Sequence, residues 1–511
     1  MSTDTAGRHT IVMRALAWNS AFRVFETAIS FAAMLVLVRI IAPAEYGRYG
    51  AVLGIITLLN GLGFGSFVGH ALQLGDDAEP DWRLHWSAGL YIQTGAMLTA
   101  HTVAFACWFA ADYRPIAPLL HIAAFGLVLD WPAQLNAVML RRAMDFRRLK
   151  VILACSLALK LSLTVGLAWL GAGAYALVVG ANVASAVPLA LDLLVIQRWR
   201  PTGAWWRWPN WSRYDAALRF GGQQSASAML SGARRALESV VFPATFGYVA
   251  IGLLGRAQAL FGMTIGRGTE VLVECVYPLM PRAAADRAAF VRLATLFAQT
   301  VCWFAIPVAA YMAWEGRAIS RLLYGRTWID ADPLIVPAVV AGLAGIVIVI
   351  AYDVLLAANR LRLCFTLDAA TTVSASSVVL VTVVGGDLAT YAWALAAVQV
   401  LTAILSGRLA SPFLSAGWAR LVLLPPAVCS VIALTAAAVV NAVVILESPA
   451  GTLLFSGAVY TAVVAGCFRA LFPRELGIWM SRLPGGGRAT WLLRLRSATP
   501  PRPVEEWSGQ P

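Results

Sequence analysis

Apolar runs of about 20 residues, separated by short polar connections, repeat along almost the whole chain. A helix rises about 1.5 Å per residue, so each run is long enough to cross a hydrocarbon layer of about 30 Å. Only a helix satisfies its own backbone groups within one segment in lipid. The pattern predicts about fourteen transmembrane helices, near 18–40, 49–72, 86–110, 117–140, 151–171, 174–197, 216–241, 249–278, 292–313, 333–358, 363–384, 388–407, 421–445 and 451–472. The fold class is therefore an all-α polytopic membrane protein, with no soluble domain inserted. Residues 1–17 are polar, then amphipathic, and show no cleavable leader, so the first span is expected to stay in the protein. Residues 473–511 carry several Pro, Gly and Arg residues and read as a mobile cytoplasmic tail.

Composition agrees with the pattern. Of 511 residues 60% are hydrophobic and 13% charged, and the mean hydropathy is +0.73. Soluble domains carry roughly 25% charged residues, so a cytosolic enzyme and a secreted disulfide scaffold are both excluded. The net charge of +13 does not imply nucleic acid, because the cations sit in the short connections between apolar runs. About 27 of the 39 Lys and Arg residues fall on the side that holds both termini. By the positive-inside bias both termini are cytoplasmic, in a bacterial inner membrane. The seven Cys residues lie in apolar runs without any CxxC pair, which excludes a zinc site and disulfides. His70, His85, His101 and His121 show no ligand spacing, so no metal is assigned.

Charges inside the spans change the picture most, since each costs several kcal/mol there, about 2.5–3.5 on insertion scales. Asn19, Arg23, Glu26 and Ser30 fall on one face of the first span. Gln224, Ser227, Ser231, Arg234 or Arg235, and Glu238 form a similar stripe in the seventh. Arg256, Arg267, Glu270 and Glu274 keep one phase in the eighth. Three stripes point to a shared water-filled cavity; the plainer alternative is that Arg23–Glu26, Arg235–Glu238 and Arg267–Glu270 are internal ion pairs. The surplus of Arg suits a phosphate-bearing substrate, which a guanidinium binds through two parallel donors. Glu and Ser on the same faces suit sugar hydroxyls or a coupling cation. Arg23, Glu26, Arg234, Arg235, Glu238, Arg256, Arg267 and Glu270 are the candidate substrate residues. Glu274 and Asp353 are candidate sites for a coupling ion, though Asp353 could equally pair with Arg360. Lys160 and Asp368 are further polar groups in spans. Gly61, Gly63, Gly65 and Gly69 lack the strand context of a nucleotide loop and predict close packing or a bend. Pro132, Pro188, Pro307, Pro337 and Pro425 predict kinks. The run Trp205-Trp206-Arg207-Trp208-Pro209-Asn210-Trp211 predicts headgroup anchoring, at the joint between two halves of six helices.

Several motifs resemble those of Wzx-type polysaccharide flippases. Val38-Arg39-Ile40-Ile41-Ala42-Pro43-Ala44-Glu45-Tyr46-Gly47-Arg48-Tyr49-Gly50 resembles the family's first outer turn, with Ile41-Ala42 where Leu-Gly is usual. Leu140-Arg141-Arg142-Ala143-Met144-Asp145-Phe146-Arg147 resembles the connection after span four. The stretches 245–260 and 278–282 resemble the region of spans seven and eight, and Leu323-Tyr324-Gly325-Arg326-Thr327-Trp328 an outer turn before span ten. The likeness covers most of residues 15–360. It implies the fold of the multidrug/oligosaccharidyl-lipid/polysaccharide exporter superfamily, with two six-helix lobes around a central cavity plus two extra helices. The implied organisation is a lobe at 1–200, a Trp-rich connection at 201–215, a second lobe at 216–410, two added helices at 411–472 and the tail at 473–511. In related flippases cavity arginines on spans one and eight bind the lipid diphosphate, and Arg23 and Arg267 occupy comparable places. Arg23-x-x-Glu26 before Tyr46-Gly47, and Arg235-x-x-Glu238 before Phe246-Gly247, form a weak internal repeat.

The resemblance implies translocation of an undecaprenyl-diphosphate-linked oligosaccharide between leaflets for polysaccharide biosynthesis and export, and not an enzyme. The expected partners are this lipid-linked oligosaccharide diphosphate, membrane lipids and other polysaccharide assembly proteins, with no nucleic acid. No cofactor is implied. Without a nucleotide motif, coupling to a proton, sodium or the membrane potential stays open. A multidrug/cation antiporter on the same fold is the alternative, and an Arg-rich cavity opposes it. A membrane glycan polymerase or ligase would need a larger outer loop than the one of about 20 residues near 314–332.

Overall fold

The structure is a computed structural model. It describes residues 2–74, 78–191, 203–276, 279–283, 286–382, 384–444 and 448–482, with the backbone alone at some positions. Apolar runs that must close their own hydrogen bonds become helices throughout, and the described residues contain no strand. In chain order the longer helices begin with α1 (Ser2–Ile40), α2 (Pro43–Gly61), α3 (Trp82–Cys107) and α4 (Ala117–Arg142). They continue with α5 (Phe146–Trp169), α6 (Ala174–Leu191), α7 (Asp215–Thr245), α8 (Gly247–Phe261) and α9 (Arg267–Val276). Then follow α10 (Arg287–Tyr324), α11 (Asp332–Ala357), α12 (Leu361–Thr382) and α13 (Leu388–Ala410). The last are α14 (Leu424–Val443), α15 (Pro449–Leu471) and α16 (Pro473–Arg482).

Twelve helical stretches among the described residues are long and apolar enough to cross a membrane. The expected fourteen would need α3 and α7 as well. Both are long enough, at 26 and 31 residues, but their polar content keeps them out of the twelve. In α7 that content is Asp215, Arg219, Arg234, Arg235 and Glu238. The second span starts earlier than expected, at Pro43, and breaks at Leu62 and Gly63 before a short helix at Phe64–Val68. The glycine run thus marks a bend. Pro132, Pro188, Pro307 and Pro337 do lie inside helices. Pro425 instead opens α14, where its missing N–H costs nothing, and Pro243 is an interior proline of α7.

The chain forms two compact units. One gathers residues up to Ala257 with Leu323–Leu334 and Asp368–Val398. In it α2 packs along α7 because glycines remove the intervening side chains: Gly54 faces Ser239 and the Arg235 carbonyl, and Gly61 faces Met229. Trp205 and Trp206 make ring contacts within this unit, and Trp206 stays exposed. Trp206 packs its ring on Trp86 and Trp131, with centroids 5.5 and 6.3 Å away, and Trp205 lies 6.0 Å from Trp86. Trp208 contacts Tyr91 but stays exposed. Arg142 holds the turn after α2 by donating to the carbonyls of Ala71, Leu74 and Ala78.

The other unit gathers Gln258–Leu322, Ile335–Leu367 and the chain from Gln399 onward. Here α10 is tied to α15, since Tyr311 donates to the Leu453 carbonyl at 2.9 Å, its ring lies 5.1 Å from that of Tyr460, and the Tyr460 hydroxyl donates to the Pro307 carbonyl at 2.8 Å. The tail expected at 473–511 opens with a helix: Trp479 of α16 donates to Thr300 at 2.9 Å and packs near Trp303. Residues 483–511 lie outside the described residues.

Candidate functional site

The seventh span carries the densest set of embedded charges. Its rotation is fixed by α2, because Ser239 and the Arg235 carbonyl sit against Gly54. That rotation points Glu238 inward, where it is buried. Arg234, one turn earlier, is its ion-pair partner, and the Tyr391 hydroxyl of α13 donates to the same carboxylate oxygen. Thr372 of α12 closes the region by donating to the Leu230 carbonyl at 3.0 Å. The expected pair of Arg235 with Glu238 is corrected: Arg234 makes the ion pair, and Arg235 points about 100° round the helix from it. Arg235 is exposed, and no described hydrogen bond or ion pair engages its guanidinium.

Removing one partner of a buried pair leaves an uncompensated charge, which typically costs about 3–5 kcal/mol. Glu238→Gln should therefore lower the melting temperature markedly, and adding Arg234→Gln should recover part of the loss. Equal melting curves for the single and double variants would show that the pair contributes nothing to folding.

The stripe of the first span is a partial pair. Arg23 lies 3.5 Å from Glu26, and both side chains remain partly exposed. The described packing of α1 is against α5, with Lys150 over the Phe22 ring at 4.9 Å and Arg147 over Trp18 at 6.0 Å. In the eighth span Arg256 lies over the face of Tyr46 at 4.2 Å, a cation–π contact, and its buried Nε has no hydrogen-bond partner among the described residues. No ion pair of Arg256 occurs among the described residues either.

In the second unit Arg267 follows a π-turn at Gly262–Gly266, a local widening frequent at functional sites. Arg267 and Glu270 pair at 3.0 Å on an exposed face. Glu274 lies on α9, but its side chain falls outside the described residues. Asp353 of α11 does not pair with Arg360, which lies over the Phe413 ring at 5.7 Å. Its Oδ2 is buried with no partner among the described residues.

Three groups escaped the sequence reading. Tyr391 gave no signal, as one aromatic residue in an apolar run. Asp130 did give one, an acid in the fourth span four residues before Gln134, whose side-chain amide donates to it. The histidines are paired: His85 with Tyr214 at 2.8 Å, and His101 with His121 at 2.8 Å between Nδ1 atoms.

Comparison with known proteins gives this arrangement its context. The profile of the polysaccharide biosynthesis protein family matches residues 36–333. The chain belongs to that family. Among curated proteins none matches the sequence. The fold is shared with a solved lipid II flippase, MurJ, in an inward closed conformation, with 11% identity and a TM-score of 0.71 over 89% of this chain and 99% of that one. An inward-facing multidrug resistance MATE transporter of the MOP superfamily is similar at 16% identity and TM-score 0.58, over 76% and 95%. A MOP superfamily transporter from Pyrococcus furiosus, described as having a binding pocket of reverse polarity, is similar at 14% and 0.51, over 78% and 95%. The expected superfamily fold is thus the observed one, and the protein is a multi-pass membrane protein.

Two of the family-like turns meet in this fold. Trp328, almost fully buried, donates from Nε1 to the Val38 carbonyl at 2.8 Å and packs edge-on to Tyr46 at 5.5 Å. The same Tyr46 ring receives Arg256 on its face. A polysaccharide biosynthesis protein thus spends its 38–50 and 323–328 motifs partly on each other. Trp328→Phe keeps an aromatic ring but removes part of its volume and one buried hydrogen bond, leaving the Val38 carbonyl without the indole donor. The expected cost is about 1–3 kcal/mol, read as a lower melting temperature of the purified protein.

Proposed function

We propose that this protein is a flippase for an undecaprenyl-diphosphate-linked oligosaccharide, moving it from the cytoplasmic to the outer leaflet of a bacterial inner membrane. The observation that carries the reading is a cation without a counter-ion among the described residues. Arg235 lies on α7, exposed and with no hydrogen bond or ion pair among the described residues, beside a neighbour whose charge is already neutralised by Glu238. An embedded guanidinium is costly unless it meets an anion, and a diphosphate offers the bidentate partner that it fits. Membership of the polysaccharide biosynthesis family supports a glycan-bearing substrate. A flippase fold, the MurJ-like one, supports translocation and not bond-making. A cationic drug would be repelled by the same arginines, so the antiporter reading is the weaker one.

Arg23 and Arg256 are proposed as further diphosphate contacts of the first unit, with Glu26 holding Arg23 in place; Arg267, held by Glu270, is proposed as an anion contact of the second unit. The test is the amount of lipid-linked oligosaccharide reaching the outer leaflet in cells depleted of the native protein. Arg267→Gln should lose most activity and Arg267→Lys only part, because Lys keeps the charge but not the two parallel donors. A purely structural pair behaves otherwise: Arg23→Gln would act by orphaning Glu26, and Arg23→Gln with Glu26→Gln would restore translocation. Full rescue by that double variant removes Arg23 from the substrate site.

Both termini are proposed to be cytoplasmic and the Arg317–Asp332 connection external. Single cysteines in a cysteine-free background check this. An impermeant maleimide applied to intact cells should label the connection and spare the tail; the reverse pattern inverts the topology.

A further inference from the structure

We propose that the first unit contains a sodium site built around Asp130. Inside that unit α2, α4 and α6 line a partly open cavity of about 180 Å³. Its polar lining is Tyr49 and Asn60 from α2, Asp130 from α4, and Asn182 and Ser185 from α6. The Asp130 carboxylate accepts a hydrogen bond from the Gln134 amide, and the Ser185 hydroxyl lines the same cavity. The donor is neutral, and no Lys, Arg or His forms an ion pair with Asp130 among the described residues. Neutral hydrogen bonding lowers the cost of the carboxylate but leaves its net charge inside a membrane helix.

The chemistry of the wall selects the occupant. Asn182 spends its amide donor on the Ile122 carbonyl at 2.6 Å, which leaves its Oδ1 as an acceptor beside Gly126. A side chain at Gly126 would collide with that oxygen, 2.5 Å from where a Cβ would stand. Carboxylate, amide and hydroxyl oxygens are hard ligands, suited to alkali and alkaline-earth cations. One carboxylate balances one positive charge, which favours a monovalent ion over calcium or magnesium. The volume admits the ion with several waters, at about 30 Å³ each. A sugar ring could hydrogen-bond the same groups but would leave the charge standing. Sodium binding needs no lipid substrate; its use as the coupling ion rests on the flippase reading.

The experiment measures binding of radioactive sodium to the full-length protein in nanodiscs, in choline buffer near neutral pH. Wild type should bind saturably, with displacement by unlabelled sodium and not by potassium. Asp130→Asn should weaken binding by about tenfold or more, and Ser185→Ala by less. Asp215→Asn, at an exposed pair with Arg219, should leave it unchanged. Melting temperatures in choline establish that each variant is folded, and Asp130→Glu should retain measurable sodium binding if Asp130→Asn is not. Unchanged affinity in folded Asp130→Asn overturns the proposal. So does a wild-type protein whose melting temperature responds to pH but not to sodium, which would make the occupant a proton. Sodium binding lost with Asp130, in a protein whose translocation ignores sodium, supports the site and refutes only its coupling role.

Discussion

Arg235→Gln is expected to remove about nine-tenths or more of oligosaccharide translocation while leaving the melting temperature of the purified protein unchanged. A charge-assisted hydrogen bond contributes about 1.5–3 kcal/mol, which corresponds to a loss of roughly tenfold to a hundredfold. Because no described partner depends on the Arg235 guanidinium, its removal orphans no buried carboxylate. Its neighbour gives the contrast. Arg234→Gln strips the counter-ion from a buried Glu238 that Tyr391 also engages, so stability should fall along with activity. Arg235→Lys should retain an intermediate rate. Translocation and melting curves measured on all three variants at matched abundance separate the two roles. Wild-type translocation by Arg235→Gln would leave the unpaired cation without a function and remove the main support for an anionic substrate.

Gly47→Ala should be the most damaging single methyl group in the first unit. A Cβ at Gly47 would overlap the Tyr248 carbonyl oxygen, and one at Gly252 would overlap the Pro43 carbonyl oxygen. Here backbone meets backbone, so no flexible side chain can swing aside. Overpacking costs typically 1–3 kcal/mol where neighbours can shift, and about 3 kcal/mol or more is expected where they cannot. Gly166→Ala is the control, since its Cβ position meets nothing within 4 Å. In a helix interior that change should be neutral or stabilising by up to about 1 kcal/mol. Heating detergent extracts and following the monodisperse fraction by size exclusion gives both numbers. A wild-type midpoint for Gly47→Ala would mean that α2 and α8 do not touch at this point.

The helices and their approximate limits were legible in the sequence, because lipid leaves an apolar run of about 20 residues a single way to satisfy its backbone. The embedded charges were legible too, since a charge in an apolar run stands out by its cost. What failed was the assignment of partners. The Arg-x-x-Glu repeat suggested Arg235 for Glu238, but three- and four-residue spacings both place groups on one helix face. Only the packing of α7 on Gly54 decides which arginine turns inward. Tyr391 is 153 residues from Glu238 in sequence, and nothing local marks either as the other's partner. Asp353 and Arg360, adjacent enough to suggest a pair, go separate ways because Arg360 finds the Phe413 ring.

The sequence by itself determined the solvent of each segment, and therefore an all-helical protein with charged groups in membrane helices. Hydrophobic periodicity is a local property, read from residues a few positions apart. Which charges are neutralised was decided only by the tertiary structure. Arg234 is spent on Glu238, Arg256 on an aromatic face, and Arg235 is left without a partner among the described residues. The Tyr46 and Trp328 motifs likewise acquired their shared hydrogen-bonded corner only when α1 and the segment before α11 came together. Pairing depends on distances between remote segments, and those distances are set by where glycines let helices approach.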